Sequence, residues 1–175
     1  LAWKCHHLHI DKSRVLNDDI LTKSLVHMKD KWKLMRDIKM NYTDDDLKDR
    51  MFLTTLDIVK QGCNHFRTFI DVDKIIGLQA IHASLEIKEY WRKKNITMQI
   101  GTQPLEGLDT DEDINLFNQA AELVDFIGCL PSRDKNPSKH LDIVFSKAKE
   151  LDKDVEAHLD QCNIPEERET ELFCD

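Results

Sequence analysis

Two periods alternate along this chain. Short blocks rich in apolar and β-branched residues give way to longer tracts where apolar residues recur every three to four positions, the signatures of strand and helix. Trp3 to Ile10 reads as a first strand. From Asn17 to about Met40, Ile20, Leu21, Leu25, Met28, Trp32 and Met35 mark one helical face, which Asn41-Tyr42-Thr43 breaks. Thr43 has Asp46 three residues on, a helix start with acidic residues in its first turn, so a further helix runs to Ile58 and Gly62 stops it. Asn64 to Val72, β-branched and aromatic, is the second strand. Leu78 to Lys93 is a helix burying Ile81, Leu85 and Trp91, and Ile96 to Gly101 is the third strand. Asp109 or Thr110 caps a helix whose inner face carries Ile114, Phe117, Ala121 and Leu123 or Val124. Asp125 to Leu130 is the fourth strand, ended by Pro131. Ser138 opens a helix to Leu151, and Val155 to Leu159 is a fifth strand.

Five strands alternating with helices demand parallel strands joined by helical crossovers, so the class is α/β. Two closures remain open. One is a doubly wound sheet of flavodoxin type, which suits 175 residues. The other is a partial (β/α)8 TIM barrel, whose complete form takes ~250 residues. In both, chemistry gathers at the C-terminal ends of the strands, where His7, His9, Asp71, Gln103, Pro131, His158 and Asp160 fall. No linker or low-complexity stretch divides residues 1–175, so one domain is expected. The sequence opens at Leu1 inside strand-like residues and closes at Asp175 in a helix start, so both ends look cut.

Composition then narrows the partners. Lys and Arg total 25 against 33 Asp and Glu, a formal net charge of −8. With no basic face, that balance argues against nucleic acid and against an anionic membrane surface. Arg92-Lys93-Lys94 and the lysines from 29 to 33 read as solvated helix faces. No apolar stretch is long enough to span a membrane, and no signal peptide opens the chain. Cys5, Cys63, Cys129, Cys162 and Cys174 are odd in number and scattered, without a C-x-x-C, so no disulfide framework is expected and a reducing cytoplasm is the plainest home. The glycine-rich phosphate-loop motifs and the H-x-E…P-C-x-x-C pattern of zinc nucleobase deaminases are both absent.

The candidate chemistry starts at His7-Leu8-His9. Residues two apart on a strand face the same side, so the two imidazoles point together. A third recurs near the end, in Glu156-Ala157-His158-Leu159-Asp160-Gln161. Imidazoles converging from distant strands are the beginning of a metal site. His6 faces the opposite side, and His27, His65, His82 and His140 read as ordinary surface or core residues.

Several stretches taken together resemble a family. His7-Leu8-His9-Ile10-Asp11-Lys12, Phe66 to Val72, Met98-Gln99-Ile100, Pro104-Leu105-Glu106-Gly107, Gly128 to Pro131 and Ala157 to Gln161 look like successive motifs of the amidohydrolase superfamily, in its cytosine-deaminase-like branch. Their order covers the first five barrel strands. The resemblance implies a metal-dependent hydrolase acting on a C–N bond of a cyclic or aromatic amide or amine. It implies a divalent zinc or iron ion ligated by His7, His9 and His158, with two further ligands on later strands that this sequence does not contain. Such an ion lowers the pKa of water bound to it to about 7.

Two positions depart from the family. Gln161 stands where it has a proton-shuttling glutamate, and an amide cannot exchange that proton, which forfeits ~10²–10⁴ in rate. Gln161 and its neighbour Asp160 are therefore the catalytic candidates. Leu105 stands where the branch has a glutamine that holds the ring's amide edge. That argues against cytosine itself and leaves Gln103 and Glu106 as candidate substrate contacts. Arg67 and Asp71 read as structural partners at strand ends. The chain is expected to take a small-molecule substrate, to be inactive alone, and to form a homo-oligomer through exposed barrel edges. The alternative is a non-catalytic α/β interaction or structural domain with incidental histidines.

Overall fold

The computed structural model describes residues 3–162 and 164–175. Strand and helix alternate as β1 (Trp3–Cys5), α1 (Asp18–Lys23), α2 (Met28–Lys39), α3 (Asp44–Lys60), β2 (Cys63–Asp71), α4 (Gln79–Arg92), β3 (Thr97–Gln103), α5 (Asp111–Leu123), β4 (Ile127–Cys129), α6 (Pro137–Leu151), β5 (Val155–Ala157) and α7 (Glu169–Cys174). Every strand pairing is parallel: β1 with β2, β2 with β3 in register Arg67 to Gln99 and Asp71 to Gln103, and β4 with β5. A single bridge, Gly101 to Phe126, joins β3 to β4. The order is therefore 1-2-3-4-5. A flavodoxin-type sheet would place β1 between β2 and β3, so the open alternative is excluded and the barrel arrangement stands.

The sheet is strongly curved. From β2, the Arg67 guanidinium bonds Gln99 on β3 at 2.8 Å and pairs with Glu156 on β5. A side chain can reach over two intervening strands only across a concave face. On the convex side, Phe66 and Ile70 of β2 join Ile81, Phe117 and Val144 under α4, α5 and α6, all nearly inaccessible to water. Trp91 anchors α4 to α3 by donating its indole N–H to Thr55 Oγ1 at 2.8 Å. Among the described residues no helix is long and apolar enough to cross a membrane.

Between β3 and β4 the backbone ladder is short, with Ile100 O accepting from Asp125 N at 2.7 Å and Phe126 N at 3.3 Å, and a side chain extends it. The Thr102 hydroxyl accepts from Gly128 N at 3.1 Å and donates to Gly128 O at 3.3 Å. A Cβ at position 128 would meet the Thr102 backbone carbonyl and come within 2.8 Å of Phe69 Cδ1. Because backbone cannot rotate away, Gly128→Ala is expected to cost about 1–3 kcal/mol, read from the urea midpoint.

Several elements differ from their expected bounds, among them β4, which spans Ile127–Cys129 where Asp125 to Leu130 was expected. β1 was expected to reach Ile10 but leaves the ladder after Cys5. Residues 6–9 stay tethered by isolated bonds, Phe69 N to Leu8 O at 2.9 Å and Ile10 N to Thr68 Oγ1 at 3.2 Å. The single helix expected from 17 to 40 is two, α1 and α2. Ser24 turns its hydroxyl back to the Leu21 carbonyl at 2.7 Å, and Leu21 and Leu25 lie exposed, so no core holds the helix through the break. β5 is also shorter than expected, ending at Ala157.

Candidate metal centre

At the C-terminal mouth of the curved sheet, three ring nitrogens form a nearly equilateral triangle. His7 Nε2 to His9 Nε2, His158 Nε2 to His7 Nε2, and His158 Nε2 to His9 Nε2 each measure 3.2 Å. Local geometry explains the convergence. His7 and His9 lie two apart in the extended segment after β1, and His158 follows β5, its N–H still bonded to Cys129 O at 3.0 Å. β1 and β5 are the outer strands, so only the curvature of the sheet brings their ends together.

The donor set fits a cation. Three nitrogens on one face of a tetrahedral metal site, at bond lengths of 2.0–2.1 Å, stand ~3.4 Å apart. Three neutral imidazoles cannot satisfy such a triangle with their own protons, since each Nε2 is either a donor or an acceptor and the three edges cannot all pair one with the other. The Nδ1 atoms of His9 and His158 are buried with no partner among the described residues. Burial, then the Lys12 ammonium, pulls the His9 imidazole down to about 3; burial, then His7, pulls His158 down to about 4. Both rings are thus neutral at pH 7, the form that ligates metal.

Those shifts set a pH response. Each imidazole takes a proton more readily in the unfolded chain, so its contribution to stability is full above about pH 6.5 and is lost as pH falls toward 3–4. Asp11 works the other way. Burial first, then the Asp71 carboxylate, raise it to about 6, so its contribution is present at low pH and lost on rising through 6. With two imidazoles against one carboxyl, the metal-free chain is expected to lose stability between about pH 6.5 and pH 4, measured by urea unfolding with chelator present.

Beside the triangle sits a buried polar network. The Lys12 ammonium bonds Asp71 Oδ1 at 2.6 Å and Gln103 Oε1 at 2.9 Å. Lys39, at the end of α2, reaches Asp71 Oδ2 at 3.3 Å and also pairs with Asp73. Burial alone would push the Asp71 carboxyl up; Lys12 and Lys39 hold it below its ordinary value. Asp11 Oδ2 accepts from Asp71 N at 3.0 Å, fixing the start of this network to the chain just past His9.

The other sequence candidates are dispersed. Gln103 belongs to the network through Lys12. Glu106 stands 3.6 Å from Arg36 and 3.7 Å from Arg133, in a cluster that ties α2 to the loop after β3. Asp160 turns to the start of α7, accepting from Glu169 N at 3.0 Å and Thr170 Oγ1 at 2.5 Å, while Glu169 accepts from Asp160 N at 2.7 Å. Gln161 follows in a half-buried turn. His140 is a buried structural residue, accepting from Leu130 N at 3.1 Å and paired with Asp134. Sequence reasoning missed Lys12 and Lys39 as site residues. Lys12 was signalled by its place three residues after His9, on the short helical turn Ile10–Lys12. Lys39 carried no signal, reading as one more cation on a polar helix face.

The curved parallel sheet has counterparts among solved structures. Klebsiella pneumoniae 5-methylcytosine deaminase liganded with 5-fluorocytosine superposes with a TM-score of 0.83 at 22% identity, covering 95% of this chain and 41% of that one. N-isopropylammelide isopropylaminohydrolase from Burkholderia multivorans gives a TM-score of 0.72 at 21% identity over 97% of this chain and 43% of that one. By sequence, the chain is 32% identical over 181 residues to an uncharacterized protein of Haemophilus influenzae, covering 99% of this chain and 64% of that protein. It is 28% identical over 160 residues to N-isopropylammelide isopropyl amidohydrolase of Pseudomonas sp., covering 87% of this chain and 40% of that enzyme. No protein-family model matches. By their own names the relatives that carry one are deaminase- and amidohydrolase-type hydrolases. The chain spans 64% and 40% of the two curated relatives.

Proposed function

We propose that residues 1–175 are the N-terminal part, and one domain, of a metal-dependent amidohydrolase that cleaves a C–N bond of a cyclic amide or amine. The observation that carries this reading is the triangle of Nε2 atoms with 3.2 Å edges at the mouth of a parallel barrel sheet. In this reading His7, His9 and His158 hold a divalent zinc or iron ion, whose Lewis acidity makes water nucleophilic near neutral pH.

The chain's own residues divide the remaining work. Gln103 spends its carbonyl oxygen on Lys12, which leaves its amide N–H groups to donate to a ring carbonyl of the substrate. Lys12, held by Asp71, puts a positive charge beside the reacting centre and favours a substrate oxygen that gains negative charge. Gln161 orients the leaving group by hydrogen bonding and moves no proton. Asp160, engaged at the start of α7, keeps the turn carrying Gln161 in place. Glu106, paired with Arg36 and Arg133, acts indirectly by fixing α2. A small-molecule substrate, a cytoplasmic setting with five unpaired cysteines, and self-association through the outer edges of β1 and β5 complete the proposal.

The test is metal content and turnover together. The purified chain is expected to bind one zinc, iron or manganese ion, while residues 1–175 alone release no ammonia or amine from pyrimidine, triazine or pterin amines. The reason is that position 161, from which a carboxylate would carry the proton, holds a glutamine. A chain that binds no metal contradicts the proposal and favours a non-catalytic interaction domain. Turnover by the chain alone contradicts the role given to Gln161.

A further inference from the structure

The three imidazoles share a neighbour as well as a direction. Each packs on the ring of Phe69, with centroids at 4.9 Å from His7, 5.4 Å from His9 and 4.5 Å from His158. Phe69 is 1% exposed and lies on β2, which carries none of the three. Metal-binding imidazoles usually owe their orientation to a hydrogen bond at the far ring nitrogen. Here the Nδ1 atoms of His9 and His158 are buried without such a partner among the described residues, so ring packing has to supply the orientation.

Phe69 is itself wedged in place. Phe126 meets it edge-on, with ring centroids 5.2 Å apart. Behind it, Gly128 offers no Cβ, and one built there would come within 2.8 Å of Phe69 Cδ1. Phe126 in turn occupies the space that a Cβ at Gly101 would need. Two glycines on neighbouring strands thus open room that an aromatic pair fills, and the outer ring of that pair is the floor beneath the triangle.

We infer that Phe69 is a positioning residue of the metal centre: its ring holds the three Nε2 atoms in the arrangement a cation requires. The inference rests on the metal reading above. It commits to a phenyl face doing the work that carboxylates or carbonyls do at other histidine sites.

Cobalt(II) is the probe, since its visible absorption reports ligand geometry as well as occupancy. Phe69→Leu and Phe69→Met, the latter filling the volume without a flat face, are each expected to lower Co²⁺ affinity by about 10- to 100-fold and to change the absorption band. Phe117→Leu removes an equally buried ring from α5, away from the triangle, and is expected to leave affinity within about twofold and the band unchanged. Circular dichroism checks that each variant is folded. A parent chain that binds Co²⁺ together with Phe69 variants that keep its affinity and spectrum would overturn the inference alone. A parent chain that binds no Co²⁺ overturns the metal reading and this inference together.

Discussion

Replacing Lys39 with methionine is expected to destabilise the chain by about 3–5 kcal/mol, because it strips a buried cation from two buried carboxylates. Lys39 is 3% exposed, and its ammonium lies against Asp71 and Asp73, themselves buried. Lys12 remains, but of these two carboxylates it bonds Asp71. The consequence extends beyond local charge. In α2 only Trp32 and Lys39 are buried, so the ion pair is one of the two buried anchors that hold this helix over the barrel mouth. Urea unfolding measures the loss, and adding Asp73→Asn to Lys39→Met is expected to recover part of it, since the unpaired charge is then gone. A loss below about 1 kcal/mol would mean that water already reaches these carboxylates.

His7→Ala and His9→Ala are each expected to weaken zinc binding by about 10²–10³-fold, an even share of the affinity that structural zinc sites reach with four ligands. The metal-free chain should keep its stability or gain slightly, because His9 is held largely desolvated with Nδ1 unpartnered. That pairing of outcomes separates a ligand from a packing residue. Competition with a zinc-binding dye gives the affinity, and urea unfolding in chelator gives the stability. Equal losses in both would assign the imidazoles to packing.

Much of this arrangement was legible from period and spacing. β2 and β3 are long, β-branched and flanked by helices with clear apolar stripes, so alternation alone located them. The histidine triangle was readable in its parts, since His7 and His9 lie two apart and His158 sits at a strand end. What periodicity could not supply was curvature, which decides between an open sheet and a barrel. That depends on Arg67 reaching Glu156 and on the glycines at 101 and 128, which let Phe126 and Phe69 fill the concave face. The break between α1 and α2 was hidden because Leu21 and Leu25 keep the helical period while facing solvent. Glu106 and Asp160 stood at the right strand ends by position, yet their oxygens face Arg36 and Arg133 in one case and the α7 start in the other. Lys39 was illegible for a simpler reason. A lysine near a helix end ordinarily points to water, and only the fold places two aspartates opposite it.

The central claim is that three imidazoles from the two outer strands meet on one ion, and X-ray absorption at the zinc edge of the zinc-loaded chain tests it most directly. The account predicts three imidazole shells with nitrogen at ~2.0–2.1 Å and no sulfur. One imidazole or none, or a cysteine sulfur at ~2.3 Å, would contradict it.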